Sequence, residues 1–188
     1  MATTSDIRNG MCVEMNNDIF QIVEFQHVKP GKGNAFVRTK MKSLTTGKVI
    51  DHTIPAGHKV DDVRVERRKH QYLYEDDMGY HFMNTENYEQ VNLSDKLVEH
   101  AEFLKEGMEI EILFHAEKEV PLTMEMPQYV ILEITYTEPG VRGDTATNTL
   151  KPAKVETGAE VRVPLFINQG DKVKIETASG NYMERVKQ

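Results

Sequence analysis

Apolar and polar positions alternate along this chain in short runs, a pattern typical of β-strands. The runs DIFQIVEFQHV (18–28) and AFVRTKMKSL (35–44) flank a stretch rich in Gly and Pro, and further turn sequences follow at 44–48 and 55–59. Strands of about five to eight residues with turns at this spacing indicate a small β-barrel or a sandwich. We therefore predict that residues 1–64 form one all-β unit.

A second segment, residues 65–127, combines strands with one predicted helix. Two strand-like runs surround the turn EDDMG (75–79). Ser94 can cap a helix that Gly107 would end. The apolar positions on one face of this helix are Leu97, Val98, Ala101 and Leu104. Strands around a single short helix favour a five-stranded OB-type barrel.

The third segment, residues 128–188, again has strand character, and a long polar loop interrupts it at 137–153. Loops longer than about 12–15 residues in compact domains are usually functional or disordered. Within the loop, Gly143, Asp144 and Thr145 offer backbone N–H groups and a hydroxyl that suit contacts with sugar, phosphate or base edges. Three small β-barrels in a row, an all-β chain, are the predicted architecture.

Charge is distributed unevenly along the chain. The net charge is −7, but residues 25–50 contain six Lys and Arg and no Asp or Glu. Strand alternation over this region turns one set of side chains to a common face below a loop that carries Lys29 and Lys32. That set is Phe36, Arg38, Lys40 and Lys42, and the opposite set is Ala35, Val37, Thr39 and Met41. This arrangement of cations predicts a surface that binds a phosphate backbone. The alternative is a solvated hairpin face on which the cations cluster by chance.

Motifs for catalysis or metal binding do not emerge from the sequence. Cys12 is the single cysteine, so no intrachain disulfide is possible, and the seven histidines are scattered. The stretch PGKGN (30–34) lacks the other residues of a phosphate-binding P-loop. We expect a binding protein without catalytic residues, metal or cofactor. No apolar run could cross a bilayer and no signal peptide is evident, so a cytoplasmic location is expected.

Three stretches together resemble bacterial elongation factor P over the whole chain. They are VKPGKGNAFVR (28–38), YLYEDDMGYHFMNTENYEQ (72–90) and KPAKVETGAEVRVPLFINQG (151–170). The resemblance implies an N-terminal SH3-like (KOW) barrel over 1–64, followed by two OB-fold barrels over 65–127 and 128–188, with a tRNA-like outline.

The resemblance also implies a role in translation. The family consists of non-catalytic factors that bind the ribosome between the peptidyl and exit sites and promote peptide-bond formation at stalled consecutive prolines. Lys32 matches the family's tip residue, which a lysine-modifying enzyme extends in many members. The implied partners are therefore rRNA and ribosomal proteins, peptidyl-tRNA, the exit-site mRNA codon and that enzyme, and the protein is expected to be a monomer.

Site residues carry over from the family by position. The implied tRNA or rRNA contacts are Lys29, Pro30, Gly31, Gly33, Asn34, Arg38, Lys40 and Lys42. The residues Gly143, Asp144 and Thr145 match the loop that reads the exit-site codon on the small subunit, and Tyr182 and Arg185 match C-terminal positions linked to function.

Several alternatives remain open at this point. Lysine at position 32 argues against the arginine-rhamnosylated branch, whereas β-lysylation, an aminopentanol group or no modification are all compatible with it. The chain could also be an elongation-factor-P-like paralogue, or a generic RNA-binding or tRNA-mimicking protein without a role in peptidyl transfer.

Overall fold

Strands dominate the computed structural model, which describes residues 2–140 and 149–187. The first of three five-stranded antiparallel sheets has the order β5-β4-β3-β2-β7. Its strands are β2 (Cys12–Met15), β3 (Asp18–Val28), β4 (Phe36–Ser43), β5 (Val49–Pro55) and β7 (Asp62–Val63). The short strands β1 (Ala2–Thr3) and β6 (Lys59–Val60) pair separately, and a 3₁₀ turn, Thr4–Asp6, follows β1.

Alternation in β4 explains the core of this first barrel. Val37, Thr39 and Met41 are buried, whereas Arg38 and Lys40 between them face solvent. Val37 and Met41 pack with the buried residues of β2 and β3. The predicted division of β4 into an apolar and a basic face is confirmed.

The second sheet has the order β10-β9-β8-β11-β12. Its strands are β8 (Val65–Asp76), β9 (Gly79–Asn84), β10 (Gln90–Leu93), β11 (Glu109–His115) and β12 (Val120–Glu125). Phe82, Leu93 and Ile112 are almost completely buried in its core. The long strand β8 begins two residues after β7, so the connection from the first sheet is short.

The prediction of a helix after Ser94 is wrong. The chain instead makes two 3₁₀ turns, Asp95–Leu97 and Ala101–Phe103, separated by an extended Val98 and by His100 in the left-handed region at φ 58°. The Ser94 side chain makes no capping hydrogen bond. The left-handed His100 interrupts a helical path, and the segment supplies apolar side chains to two different cores.

The third sheet has the order β15-β14-β13-β16-β17. Its strands are β13 (Tyr129–Thr137), β14 (Leu150–Val155), β15 (Glu160–Pro164), β16 (Lys172–Glu176) and β17 (Asn181–Val186). Leu132, Ile134, Val163 and Ile175 are completely buried between its strands. The edge strands β15 and β17 approach one another, which curls the sheet towards a closed barrel.

Apolar side chains also join the first two barrels. Cys12, Ile19 and Leu44 of the first barrel form one buried cluster with Leu113 and Leu122 of the second. Burial raises the pKa of the Cys12 thiol, as expected for an inert thiol in a core. Within the described ranges 2–140 and 149–187, no helix is long and apolar enough to cross a membrane.

Candidate nucleic-acid interface

The loop between β3 and β4, residues 29–35, carries Lys32 at the end of a long hairpin. Every residue from Lys29 to Asn34 is exposed. The Lys32 side chain makes no hydrogen bond or ion pair with residues 2–140 or 149–187. We call residues 29–35 the Lys32 loop. The ammonium group of Lys32 is therefore available to a partner outside the chain.

The two glycines beside Lys32 have different roles. Gly33 has φ 109°, in the left-handed region that favours glycine, and a Cβ there would lie 3.8 Å from Pro30 Cγ. Gly31 has no positive φ, and a Cβ there would meet nothing within 4 Å. A type II turn centred on Pro30 and Gly31 would need a positive φ at Gly31. The type II turn that the dipeptide Pro30-Gly31 predicts from the sequence is therefore not formed, and Gly33 bends the loop instead.

Below the loop, Arg38, Lys40 and Lys42 line one side of β4, which we call the basic hairpin face. Arg38 and Lys40 are exposed and Lys42 is half-buried. Arg38 lies opposite uncharged residues, Gln26 on β3 and Thr53 on β5. Arg38 forms no ion pair with the described part of the chain, so no carboxylate there offsets its charge.

Lys40 has a different environment on the same face. It lies opposite Glu24 on β3 and Asp51 on β5, and its Nζ is 3.6 Å from Glu24 Oε2. The acid-free stretch that the sequence indicated is therefore bordered by carboxylates once the strands pair. These two acids bound that stretch in the sequence, but a β-bulge between Ile22 and Glu24 sets the register that brings Glu24 to Lys40. No alternation pattern reveals that register.

Phe36 lies at the head of this face, as strand alternation predicts, and it also contacts Arg38. The Arg38 guanidinium carbon lies 5.6 Å from the centre of the Phe36 ring. Phe36 is half-buried. A planar guanidinium beside a ring offers a phosphate contact and a stacking surface together. The contact follows from the sequence spacing of Phe36 and Arg38, which lie two residues apart on one face of the strand.

The predicted codon-reading residues Gly143, Asp144 and Thr145 lie outside the described residues. The stems of their loop are described. The buried Lys151 Nζ donates a hydrogen bond to the Glu138 carbonyl at 2.6 Å, and Thr137 Oγ1 donates to the Pro152 carbonyl at 3.0 Å. These two hydrogen bonds join the end of β13 to the start of β14.

The C-terminal positions Tyr182 and Arg185 both lie on β17. Tyr182 is half-buried against the third core, and this burial raises the pKa of its hydroxyl. Arg185 is exposed, with Nη1 3.9 Å from Asp171 Oδ2 and its guanidinium carbon 5.9 Å from the centre of the exposed Phe166 ring. Of the two, Arg185 is the more accessible to a partner.

The predicted site therefore consists of separate surfaces on the first and third barrels. Among residues 2–140 and 149–187, no group of three or more His, Cys, Asp or Glu side chains is arranged to hold a metal ion. The chemistry that the described surfaces offer is charge, stacking and hydrogen bonding.

Comparison with known proteins gives three family matches in chain order. The "Elongation factor P (EF-P) KOW-like domain" matches residues 3–60, the "Elongation factor P (EF-P) OB domain" matches 65–122, and "Elongation factor P, C-terminal" matches 130–185. The predicted class of fold, an SH3-like (KOW) barrel followed by OB-type barrels, is confirmed by these matches and by the three sheets.

Individual relatives match over the entire chain. "Elongation factor P" of Flavobacterium psychrophilum is 58% identical and "Elongation factor P 1" of Porphyromonas gingivalis is 56% identical, each over 100% of both chains. Among solved structures, "Eukaryotic translation initiation factor 5A from Methanococcus jannaschii" has a TM-score of 0.52 at 23% identity, covering 67% of this chain and 90% of its own. That likeness concerns the fold alone. The full-length matches show that the chain belongs to the elongation factor P family of translation factors.

Proposed function

We propose that this protein binds the ribosome between the peptidyl and exit sites and speeds peptide-bond formation at consecutive prolines. In this proposal the Lys32 loop reaches the CCA end of peptidyl-tRNA and restrains it. The observation that supports the proposal most strongly is the exposure of Lys32 at the end of a hairpin, without a partner in the described part of the chain.

The proposed mechanism is positioning, and the ribosome supplies the chemistry. Proline reacts slowly as donor and as acceptor, so peptidyl-tRNA spends time in unproductive orientations. Holding reacting groups in a productive geometry can lower a barrier by as much as about 7–11 kcal/mol in the best-oriented systems. The proposed role requires only a fraction of that and no catalytic side chain on this protein.

Binding is assigned to several surfaces. Lys29, Pro30, Gly31, Gly33 and Asn34 would contact tRNA beside Lys32, and the basic hairpin face would contact tRNA or rRNA phosphates. On the third barrel, Gly143, Asp144 and Thr145 would meet the exit-site codon. Tyr182 and Arg185 would contact the small-subunit side of the ribosome.

Lys32 is also the proposed substrate of a lysine-modifying enzyme. A lysine that is exposed and flanked by glycines leaves space for an enzyme to surround its ammonium group. Intact mass of the protein from its own cell, followed by mapping of the peptide that spans 29–38, tests this. A mass equal to that of the unmodified chain would refute the modification while leaving the positioning role intact.

A tripeptide assay tests the function itself. Purified ribosomes should make Pro-Pro-Pro faster when this protein is added, and Phe-Phe-Phe at an unchanged rate, because only proline is limited by orientation. Equal effects on both templates would favour a generic RNA-binding role. Binding to ribosomes without any acceleration would favour an elongation-factor-P-like paralogue with another task.

A further inference from the structure

One phenylalanine of the second barrel belongs to the core of the third. Phe103 follows β10 in the chain, yet it is 4% exposed and packs in the apolar cluster formed by β13 to β17. Its neighbours Val98 and Leu104 point instead into the core of the second barrel. We call residues 94–107 the junction segment.

Residues on either side of Phe103 make polar contacts with the third barrel. Thr157 Oγ1 donates a hydrogen bond to the Glu102 carbonyl at 2.6 Å, and Lys105 Nζ is 2.9 Å from Glu156 Oε2. Gly180 faces the Phe103 ring, and a Cβ there would lie 3.5 Å from Phe103 Cζ. A buried aromatic ring whose chain neighbours make a hydrogen bond and an ion pair across the same boundary has the features of an energetically dominant interface residue.

The junction segment also meets the first barrel. Glu99 Oε1 lies 2.6 Å from where a Cβ on Gly47 would be, in the turn after β4. The buried cluster of Cys12, Leu44 and Leu113 joins the same two barrels. The first two barrels are therefore held by a shared apolar cluster, whereas Phe103 is the buried apolar side chain that the junction segment gives to the third.

We propose that Phe103 is a positioning residue that fixes the orientation of the third barrel relative to the first two. Interfaces between domains of one chain permit motion unless they are large and apolar. An inserted phenylalanine removes that freedom. The second half of the proposal rests on the proposed function: Phe103 sets the distance between the Lys32 loop and the ribosome-binding surface of the third barrel.

This positioning would act through effective concentration. When two surfaces of one rigid molecule bind one partner, binding of the first brings the second into place at no further cost in orientation. A third barrel that reorients freely must be ordered on binding, and this ordering lowers affinity. Lys32 would still act normally once the complex has formed.

The orientation can be measured in the free protein. Spin labels on cysteines at two exposed sites, Lys48→Cys and Lys154→Cys, report the distance between the first and third barrels, while the buried Cys12 stays unlabelled. Phe103→Ala should broaden the distance distribution about twofold. Phe166→Ala is the matched control because it removes an exposed phenylalanine of the third barrel, and it should leave the distribution unchanged.

A second variant covers the case in which Phe103→Ala does not fold. Thr157→Val combined with Lys105→Met removes these polar contacts beside Phe103 and leaves every core side chain in place. This double variant should also broaden the distance distribution, but by less than Phe103→Ala does. An unchanged distribution in this double variant, or in a folded Phe103→Ala protein, would overturn the proposal.

Activity then separates orientation from chemistry. Phe103→Ala should raise the protein concentration for half-maximal Pro-Pro-Pro synthesis about tenfold, which corresponds to about 1.4 kcal/mol of binding free energy, with the rate at saturation retained. A lower rate at saturation with an unchanged half-maximal concentration would contradict this role. If the parent protein failed to accelerate Pro-Pro-Pro synthesis, the proposed function would fail, and the distance measurement would still decide whether Phe103 fixes the barrels.

Discussion

Neighbouring cations on β4 differ in how much charge they present to a partner. Arg38 faces uncharged residues across both neighbouring strands, whereas Lys40 lies between Glu24 and Asp51. An exposed pair such as Lys40 and Glu24 contributes little to stability, typically below about 1 kcal/mol. The pair does, however, offset the charge that Lys40 would offer to a phosphate. Arg38 is therefore expected to contribute more to binding RNA than Lys40.

The salt dependence of ribosome binding tests this difference. Arg38→Gln should lower the slope of log affinity against log salt by roughly 0.7–0.9, the value for one lost phosphate contact. Lys40→Gln should lower it by less because Glu24 already compensates that charge. Equal losses in the two variants, measured by sedimentation at several salt concentrations, would contradict the assignment.

A buried histidine in the second barrel makes stability depend on pH. His70 stacks on Phe114 and its Nδ1 lies 2.9 Å from the Arg68 carbonyl. Burial lowers the pKa of His70 from its ordinary value of 6.5. Below about pH 6.5 the unfolded chain binds a proton that folded His70 resists. The free energy of unfolding therefore falls as the pH drops from that value towards the folded pKa.

Thermal melts at several pH values measure this effect. His70→Gln should flatten the fall in melting temperature between about pH 7 and pH 5, because the titrating group is gone. His58→Gln is the control, since His58 lies exposed in the turn before β6 and should leave the curve unchanged. A His70→Gln curve parallel to that of the parent would show that other groups cause the pH dependence.

At the scale of elements, the strands could be predicted and the junction segment could not. Alternation in β4 identified both of its faces because side chains in a strand have a period of two. In the junction segment, Leu97 and Leu104 have helix-like spacing, but Leu97 ends one 3₁₀ turn and Leu104 follows the other, and both pack in the second core. Phe103 enters the third core. A pattern within one segment cannot indicate that its apolar residues belong to two barrels.

The loop between β13 and β14 is the element expected to make rescue depend on the exit-site codon. Its stems are held by Lys151 and Thr137, so changes within 143–145 should leave the barrel folded. Replacing Gly143, Asp144 and Thr145 by alanine should weaken rescue to an extent that varies with the exit-site codon. Rescue assays on templates that differ only in that codon measure this, and an equal loss on all of them would make the loop a general anchor.

For the whole molecule, the family could be inferred from the sequence, and the way its parts are joined required the structure. The stretches around Lys32 and at 151–170 pointed to elongation factor P, and the full-length relatives agree. The cluster of Cys12 with Leu113 and the insertion of Phe103 connect residues far apart in sequence. Such contacts follow from packing of finished barrels, which local patterns do not encode.

The most direct test of the account compares Lys32→Ala with Lys48→Ala. Lys48 is an exposed lysine in the connection between β4 and β5, so it controls for loss of one positive charge from the same barrel. Both variants should keep the parent's stability within about 0.5 kcal/mol. Lys32→Arg serves as a third variant, because a guanidinium differs from an ammonium in shape and hydration.

The decisive quantity is the rate of Pro-Pro-Pro synthesis at saturating concentrations of each variant. Lys32→Ala should lose most of the acceleration and Lys32→Arg should also fail, whereas Lys48→Ala should match the parent. Ribosome binding by Lys32→Ala should weaken less than its activity, since Arg38 and the third barrel still contribute to binding. Full acceleration by Lys32→Ala would contradict both the positioning mechanism and the role assigned to the Lys32 loop.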